Sequence, residues 1–129
     1  MLEKDNDNLG YLSGRAFAIS IQANRKAYPT ARTGVDRYSR AFIANPTQAY
    51  TQVDGLVQKY IQKMRRDYAK GANELEDRYL EIVARIPSSG FPARFSQSDQ
   101  IQFVQGWKHQ MVEEKKIDKA AWDKHNKKK

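Results

Sequence analysis

The stretch NPTQAYTQVDGLVQKYIQKMRRDYAK, from Asn45 to Lys70, predicts the helix around which the rest of the chain is organised. Asn45 can accept hydrogen bonds from free backbone N–H groups, and Pro46 suits the first helical position because its missing N–H is not needed there. At 100° per residue, one side of this helix is apolar and predicts a face buried in a core. Its members are Tyr50, Val53, Val57, Tyr60, Ile61 and Met64.

The opposite side of this predicted helix is basic and rich in amides. After Gln48 and Gln52 it carries a ridge of four cations: Lys59, Lys63, Arg66 and Lys70. Gly55 lies close to this ridge, and a glycine inside a helix costs about 1 kcal/mol relative to alanine. Its presence is consistent with the close approach of another backbone, from a protein or from nucleic acid. The alternative is a solvated face without a partner, and this helix alone does not decide between the two.

The charge of the chain is high and unevenly distributed. The formal net charge of the 129 residues is +8, of which residues 25–70 contribute +7 and residues 115–129 contribute +5. The remaining residues are neutral to acidic on balance. A positive block inside the chain and a second one at its end favour a polyanionic partner, above all nucleic acid.

The composition also restricts the chemistry and the location of the protein. The chain has no cysteine, which excludes disulfides and thiolate chemistry and leaves only histidines and carboxylates for a zinc site. No apolar run approaches the ~18 residues of a membrane span, and the N-terminal sequence MLEKDNDN is too polar for a secretory signal. We therefore expect a single cytoplasmic domain with no membrane partner.

No catalytic constellation stands out in the sequence. The histidines are His109 and His125, and there is no P-loop, GxGxxG, HExxH or nucleophile-elbow motif. Four acidic residues close together lack the order of a calcium-binding loop and predict a solvated or ion-paired face: Glu74, Glu76, Asp77 and Glu81. We expect no enzymatic activity, no cofactor and no metal ion.

Apolar spacing predicts four or five helices and no strand, which makes the fold an all-α compact bundle. Small residues in the first helix suit close packing against a neighbour, and capping boxes at Thr33–Asp36 and Ser96–Asp99 mark two helix starts. Besides the helix described above, the predicted helices span about 9–26, 35–44, 73–86 and 96–114.

The domain organisation follows from these spans. Residues 1–8 are expected to be flexible, residues 9–114 to form a single helical-bundle domain, and residues 115–129 to form a mobile, lysine-rich tail that is at most partly helical.

The candidate nucleic-acid-binding residues come from the positive block. Lysine and arginine gain affinity by displacing counterions from phosphates, and no pattern suggests that base edges are read, so binding should be independent of sequence. Tyr38, Tyr50 and Tyr60 fall on apolar stripes and are assigned to the core. The candidates are Arg25, Lys26, Arg32, Arg37, Arg40, Lys59, Lys63, Arg66 and Lys70.

Three segments resemble a known family. LGYLSGRAFA at residues 9–18 resembles its "YLLGRLFA" opening, and Asp36-Arg37-Tyr38 followed by Ala44-Asn45-Pro46 resembles its "DRYF…ATPA" run. The third segment begins with FPARFS at residues 91–96 and continues with Gln100, Phe103, Gly106, His109 and Gln110. In this order and spacing the segments resemble the C-terminal helical domain of the large subunit of subtype I-C CRISPR interference complexes (Cascade), and a free-standing chain of this kind resembles the small subunit.

The resemblance implies a helical bundle, present in more than one copy, that lines the belly of the complex. Its implied partners are the large and backbone subunits, other copies of itself, the guide-RNA-containing complex and target DNA, especially the displaced non-target strand. It implies a non-catalytic protein of the prokaryotic cytoplasm. Among the cations, only Arg15 and Arg37 belong to matched motifs, and Arg15 can instead face a neighbouring helix. We interpret His109 and Gln110 as structural, helping the last helix to dock.

Two other interpretations stay open. The chain could be an assembly protein whose basic faces meet acidic patches on partner proteins rather than DNA. It could also be a free-standing nucleic-acid-binding helical protein, in which case the isolated chain should bind DNA well even without residues 115–129.

Overall fold

The computed structural model describes residues 2–29, 38–87 and 90–127, and every regular element in these ranges is an α-helix. The predicted all-α bundle is therefore confirmed. In chain order the helices are α1 (Leu9–Ala27), α2 (Tyr38–Ala44), α3 (Pro46–Asp67), α4 (Ala69–Ala84) and α5 (Gln97–Lys127). None of these helices is both long enough and apolar enough to cross a membrane.

The central helix of the bundle is α1. All residues from Gly10 to Asn24 are buried, on every side of the helix, because α1 packs against α3, α4 and α5. The Asn45–Lys70 stretch therefore forms one of the helices around the centre rather than the centre itself. In the sequence α3 stands out because its apolar stripe is stronger, whereas α1 is buried through small and polar residues as well as apolar ones.

Glycines bring the backbones of α1 and α5 into contact. A Cβ atom built on Gly14 would overlap the backbone oxygen of Phe103, and one built on Gly106 would overlap the backbone oxygen of Tyr11. Because these obstacles are backbone atoms rather than flexible side chains, the two helices would have to move apart to admit even an alanine. This confirms the expectation that small residues in the first helix serve close packing.

The predicted start and face of α3 are also confirmed. The Asn45 side chain accepts a hydrogen bond from the Gln48 N–H (3.3 Å), and Pro46 occupies the first turn. The apolar side chains of the predicted face are buried, and its tyrosines, together with Tyr38, are partly buried against the same core. The capping box of α5 is present too, since the Asp99 N–H donates to Ser96 Oγ (3.1 Å). The one proposed at Thr33–Asp36 lies outside the described residues.

The predicted helix Asn45–Lys70 is wrong at its C-terminal end. α3 stops at Asp67, Tyr68 has extended backbone angles (φ −155°, ψ 87°), and α4 begins at Ala69. The physical reason is that both helices pack against α1, whose 19 residues span only about 28 Å at the usual rise. A single unbroken helix could not place both its halves on so short a neighbour.

The last helix is longer than predicted. We expected it to end near Glu114, whereas α5 continues to Lys127. The extension is held against α1 by Asp118, whose carboxylate accepts hydrogen bonds from Gln22 Nε2 (2.7 Å) and Lys26 Nζ (2.8 Å). These contacts join partners more than 90 residues apart in sequence, which is why local patterning did not reveal them.

The segment before α1 contacts several helices. Asn8 caps α1 by accepting from the N–H groups of Gly10 and Tyr11, and the Glu3 N–H donates to Tyr11 Oη (2.8 Å). Asn6 Nδ2 donates to Gln102 Oε1 (2.9 Å) on α5, and Arg85 reaches back to the same segment by bonding Asp7 and the Lys4 carbonyl. The flexibility we expected for residues 1–8 in solution stays a prediction.

A buried tyrosine on α4 leads to a pH-dependence prediction. Tyr79 is fully buried, its hydroxyl donates to Asp54 Oδ1 (2.5 Å), and burial raises its pKa above the ordinary value of 10. The native state therefore favours the neutral phenol, and the stability it contributes is complete below pH 10 and is lost as the pH rises further, at about 1.4 kcal/mol per pH unit. Tyr79→Phe should lose less stability than the wild type between pH 10 and 11 in urea denaturation; equal losses would contradict this prediction.

Candidate nucleic-acid interface

A groove joins the end of α1 to the break between α3 and α4. It encloses about 400 Å³ and is lined by Arg25, Lys26, Pro29, Met64, Asp67, Tyr68 and Gly71. Arg25 and Lys26 occupy the last turn of α1, where cations complement the helix dipole. The packing of α1 against α3 and α4 thus brings two cations of the first helix next to the C-terminal end of α3. These residues are far apart in sequence, so this proximity could not be predicted.

The cations of α3, a helix that lines part of this groove, differ in how they are paired. Lys63 Nζ forms an ion pair with Asp67 Oδ2 (2.8 Å) and lies 5.7 Å from the centre of the Tyr28 ring, which in turn meets Tyr60 edge-on at 6.0 Å. The charge of Lys63 is therefore partly neutralised within the protein. Lys59 and Arg66 are exposed and form no ion pair within the described parts of the chain.

Lys70 lies on a different helix from the other members of the predicted ridge. It is the second residue of α4, exposed, and next to Gly71 of the groove. The four-residue ridge on one continuous helix is therefore wrong, because the chain breaks at Tyr68. The break nevertheless leaves Lys70 next to Gly71, which lines the groove, while Lys63 is joined to the groove through its ion pair with Asp67.

The other candidates are divided between this surface and other places. Lys26 lines the groove but also forms an ion pair with Asp118. Arg40 is exposed on α2, and no contact given by the structure joins it to the groove. Arg32 and Arg37 lie outside the described residues. We use the term basic groove for the groove together with four unpaired cations on the helices that form it: Arg25, Lys59, Arg66 and Lys70.

The basic groove has the properties of a phosphate-binding surface. Its cations come from three helices, are exposed to solvent and are not neutralised by carboxylates in the described ranges. Such side chains gain affinity for a nucleic-acid backbone by releasing counterions. The arrangement gives no fixed pattern of donors and acceptors that would distinguish one base pair from another.

Sequence reasoning missed the aromatic residue of the groove. Tyr68 follows Met64 by four positions and so falls on the apolar stripe of α3, which predicts burial. In the structure it is 63% exposed, because the helix ends one residue earlier. The only available signal was the nearby Gly71, a residue that disfavours the continuation of a helix and that contacts the Tyr68 ring from within α4.

The residues of the first and third family-like segments form the interface between α1 and α5 rather than a binding site. Tyr11 Oη and His109 Nδ1 lie 2.8 Å apart, and Arg15 Nε donates to Gln110 Oε1 (2.9 Å). Arg15 is buried, and desolvation lowers the pKa of its guanidinium. The structural role expected for His109 and Gln110 is confirmed, and Arg15 faces a neighbouring helix.

The described residues include no group of three or more histidine, aspartate or glutamate side chains placed to hold a metal ion. The surface assembled around the α3–α4 break is therefore described by charge, aromatic exposure and shape alone.

Comparison with known proteins gives one family. The model of a family described as "CRISPR-associated protein (Cas_Csd1)" matches residues 1–114, which include α1 to α4, the whole basic groove and α5 as far as Glu114. No curated protein matches the chain. The lysine-rich end of the chain lies beyond the matched region.

Proposed function

The chain belongs to the Cas_Csd1 family of CRISPR-associated proteins, and from this premise we propose that it is the non-catalytic small subunit of a type I-C RNA-guided surveillance complex. In this role it lines the belly of the complex in the prokaryotic cytoplasm, in contact with the large subunit, the backbone subunits and further copies of itself. It stabilises target DNA in the R-loop, especially the displaced non-target strand, through a sequence-independent basic surface.

The observation that supports this proposal is the basic groove. Exposed cations lie on all three helices that form the groove, and within the described residues no carboxylate neutralises Arg25, Lys59, Arg66 or Lys70. R-loop formation is nearly balanced in free energy, so that modest contacts between protein and phosphates can decide whether the open state persists. A subunit with this task needs positive charge in the right place and no cutting machinery of its own.

The test is to remove three unpaired cations and measure target binding by the assembled complex. We expect the variant with Lys59→Gln, Arg66→Gln and Lys70→Gln to enter the complex normally, because none of these side chains supports the fold through an ion pair. Its affinity for target DNA should fall, and the log–log salt dependence should flatten by about 0.7 to 0.9 for each phosphate that the variant no longer neutralises. Affinity is measured over a salt series, and incorporation by native mass spectrometry.

A charge-matched control separates this surface from the overall charge of the protein. Arg94→Gln, Lys108→Gln and Lys116→Gln together remove the same three positive charges from exposed positions outside the basic groove. This control should retain both affinity and salt slope. Equal losses in the two variants, or no loss in the first, would contradict the proposed DNA contact.

One observation favours the alternative of an assembly subunit. Ile101, Val104 and Val112 form an exposed apolar stripe on α5, and the first two border a second groove of about 620 Å³ together with Ile43 of α2. Exposed apolar surface of this kind suits contact with a protein. If assembly is the main function of the basic groove as well, its triple variant should detach from the complex even when no DNA is present.

A further inference from the structure

The basic groove contains one aromatic side chain that the charges do not explain. Tyr68 is 63% exposed, although it lies between two consecutive helices that both pack against α1. Its backbone is held on both sides, since its N–H donates to the Met64 carbonyl (2.6 Å) and its carbonyl accepts from the Ala72 N–H (3.1 Å). The side chain therefore leaves the protein from a fixed point, unlike one on a long surface loop.

The ring is also restrained by α4. A Cβ atom built on Gly71 would come within 2.6 Å of Tyr68 Cδ1, so the ring lies directly against the backbone of this glycine. A glycine inside a helix costs about 1 kcal/mol relative to alanine, and here the missing side chain provides the space that the ring occupies. Tyr68 is thus positioned by contact on one side and is open to solvent on the rest of its surface.

Two cations line the same groove as this ring, and two more are close to it in sequence. Arg25 and Lys26 line the same groove from α1, while Arg66 and Lys70 lie two residues before and after Tyr68. A restrained, exposed aromatic ring next to phosphate-binding cations is the combination that proteins use for single-stranded nucleic acids, in which unpaired bases stack on the ring and the backbone follows the charges. Tyr28, which precedes Pro29 of the groove, is less exposed, and its ring already meets Tyr60 and Lys63.

We propose that the basic groove is a binding site for single-stranded nucleic acid, in which an unpaired base stacks on Tyr68 while Arg25, Arg66 and Lys70 contact the flanking phosphates. This inference rests on the proposed function and adds to it a means of distinguishing unpaired strands from duplex. The bases of a duplex are already stacked on one another, so they can offer phosphates to the groove but no free face to the ring.

A single exposed apolar residue is by itself ordinary, and α4 supplies a matched example. Leu80 is 49% exposed on the same helix, but its exposed neighbours Asp77 and Glu81 are acidic. It should therefore have no role in binding a polyanion. Leu80→Ala removes an exposed apolar side chain from α4 and is the control for Tyr68→Ala.

The experiment measures the fluorescence anisotropy of labelled DNA with the full chain at low salt. The probes are oligo(dT), an abasic strand of the same length and a duplex of the same length. Tyr68→Ala should raise the Kd for oligo(dT) by at least about fivefold, the lower end of the measured range for stacking on one base. It should leave the Kd values for the abasic strand and the duplex unchanged, while Tyr68→Trp and Leu80→Ala should retain wild-type binding to all three probes.

Three outcomes would overturn the inference, and they can be told apart. If Tyr68→Ala binds oligo(dT) as the wild type does, while the variant with Lys59→Gln, Arg66→Gln and Lys70→Gln loses affinity, stacking fails and the proposed DNA contact stands. If Tyr68→Ala weakens all three probes equally, its effect is on the shape of the groove and not on bases. If the wild type binds none of the probes, the stacking inference fails for the isolated chain, and the proposed DNA contact is decided separately by the salt series on the assembled complex. Circular dichroism of each variant verifies that the helices are intact.

Discussion

Replacing Glu114 with alanine is expected to destabilise the protein by about 3 kcal/mol, the lower end of the range for breaking a buried ion pair, because Arg78 keeps 24% of its side chain exposed. Glu114 is completely buried, and its carboxylate accepts hydrogen bonds from Arg78 Nη2 (2.6 Å), Arg78 Nε (2.8 Å) and Gln110 Nε2 (3.1 Å). The side-chain oxygen of Gln110 in turn accepts from the buried Arg15. One carboxylate therefore satisfies donors from α4 and α5 and, through Gln110, orients a cation of α1.

The size of this effect follows from what remains after the substitution. Arg78 would lose the two carboxylate oxygens to which it donates on α5. Gln110 would keep a buried N–H group without an acceptor, close to the charge of Arg15. Each unsatisfied buried polar group costs about 1 to 3 kcal/mol, and more when it is charged. Urea denaturation at neutral pH measures the loss.

Glu74→Ala is the matched control for Glu114→Ala. Glu74 is exposed on α4, and it interacts with Arg78 through its backbone carbonyl, which alanine retains. Its replacement should change stability by no more than about 0.5 kcal/mol, as for most surface positions. If the two substitutions cost the same, the network between α4, α5 and α1 contributes little, and the packing of apolar side chains alone holds these helices together.

The α3 helix shows which features could be predicted from the sequence. Its cap, its proline and its buried face all depend on residues within a few positions of one another, and each was confirmed. The break at Tyr68 could not be predicted, because the apolar spacing continues in phase from Met64 through Tyr68 to Ala72 and Leu75. Periodicity describes which side of a helix is buried, and it carries no information on whether the helix continues.

The central position of α1 was hidden for a related reason. Ser13, Gly14, Arg15 and Asn24 do not read as core residues, yet all are buried. Arg15 can be buried because Gln110, 95 residues later, accepts its hydrogen bond. Arg15 becomes a core residue through this distant partner, which a local pattern cannot reveal.

Only part of the candidate interface could be predicted, because the rest of it also depends on contacts between residues that are distant in sequence. Lys59, Lys63 and Arg66 were found as one face of one helix, which local spacing can reveal. Their combination with Arg25 of α1 and with the exposed Tyr68 depends on the packing of α1 against the α3–α4 break. The candidate interface combines residues from three helices, so the sequence indicated the charge but not the groove.

Two glycine-to-alanine substitutions are expected to change stability in opposite directions. At Gly14 the added methyl group would overlap the backbone oxygen of Phe103, and because backbone cannot rotate away, α1 and α5 must separate. We expect Gly14→Ala to destabilise the protein by about 2 to 3 kcal/mol, toward the upper end for overpacked cores. At Gly55 a Cβ atom would meet nothing within 4 Å, so Gly55→Ala should stabilise α3 by about 0.5 to 1 kcal/mol.

Thermal or urea denaturation of the two variants measures both signs, and a stabilising Gly14→Ala would contradict the contact between the backbones of α1 and α5. Gly55→Ala also tests whether the solvent-facing side of α3 has a binding partner. Gly55 weakens the helix, and a Cβ atom at this position would meet nothing within 4 Å apart from the backbone of its own helix. Its neighbours on α3 include Gln52 and Lys59 of the side facing solvent. If a phosphate or a partner backbone approaches there, the more stable Gly55→Ala protein should bind target DNA less tightly in the assembled complex or enter it less completely. A variant that gains stability and loses neither property would show that Gly55 has no part in the interface. The proposed binding surface would then consist of the cations of the basic groove and Tyr68 alone.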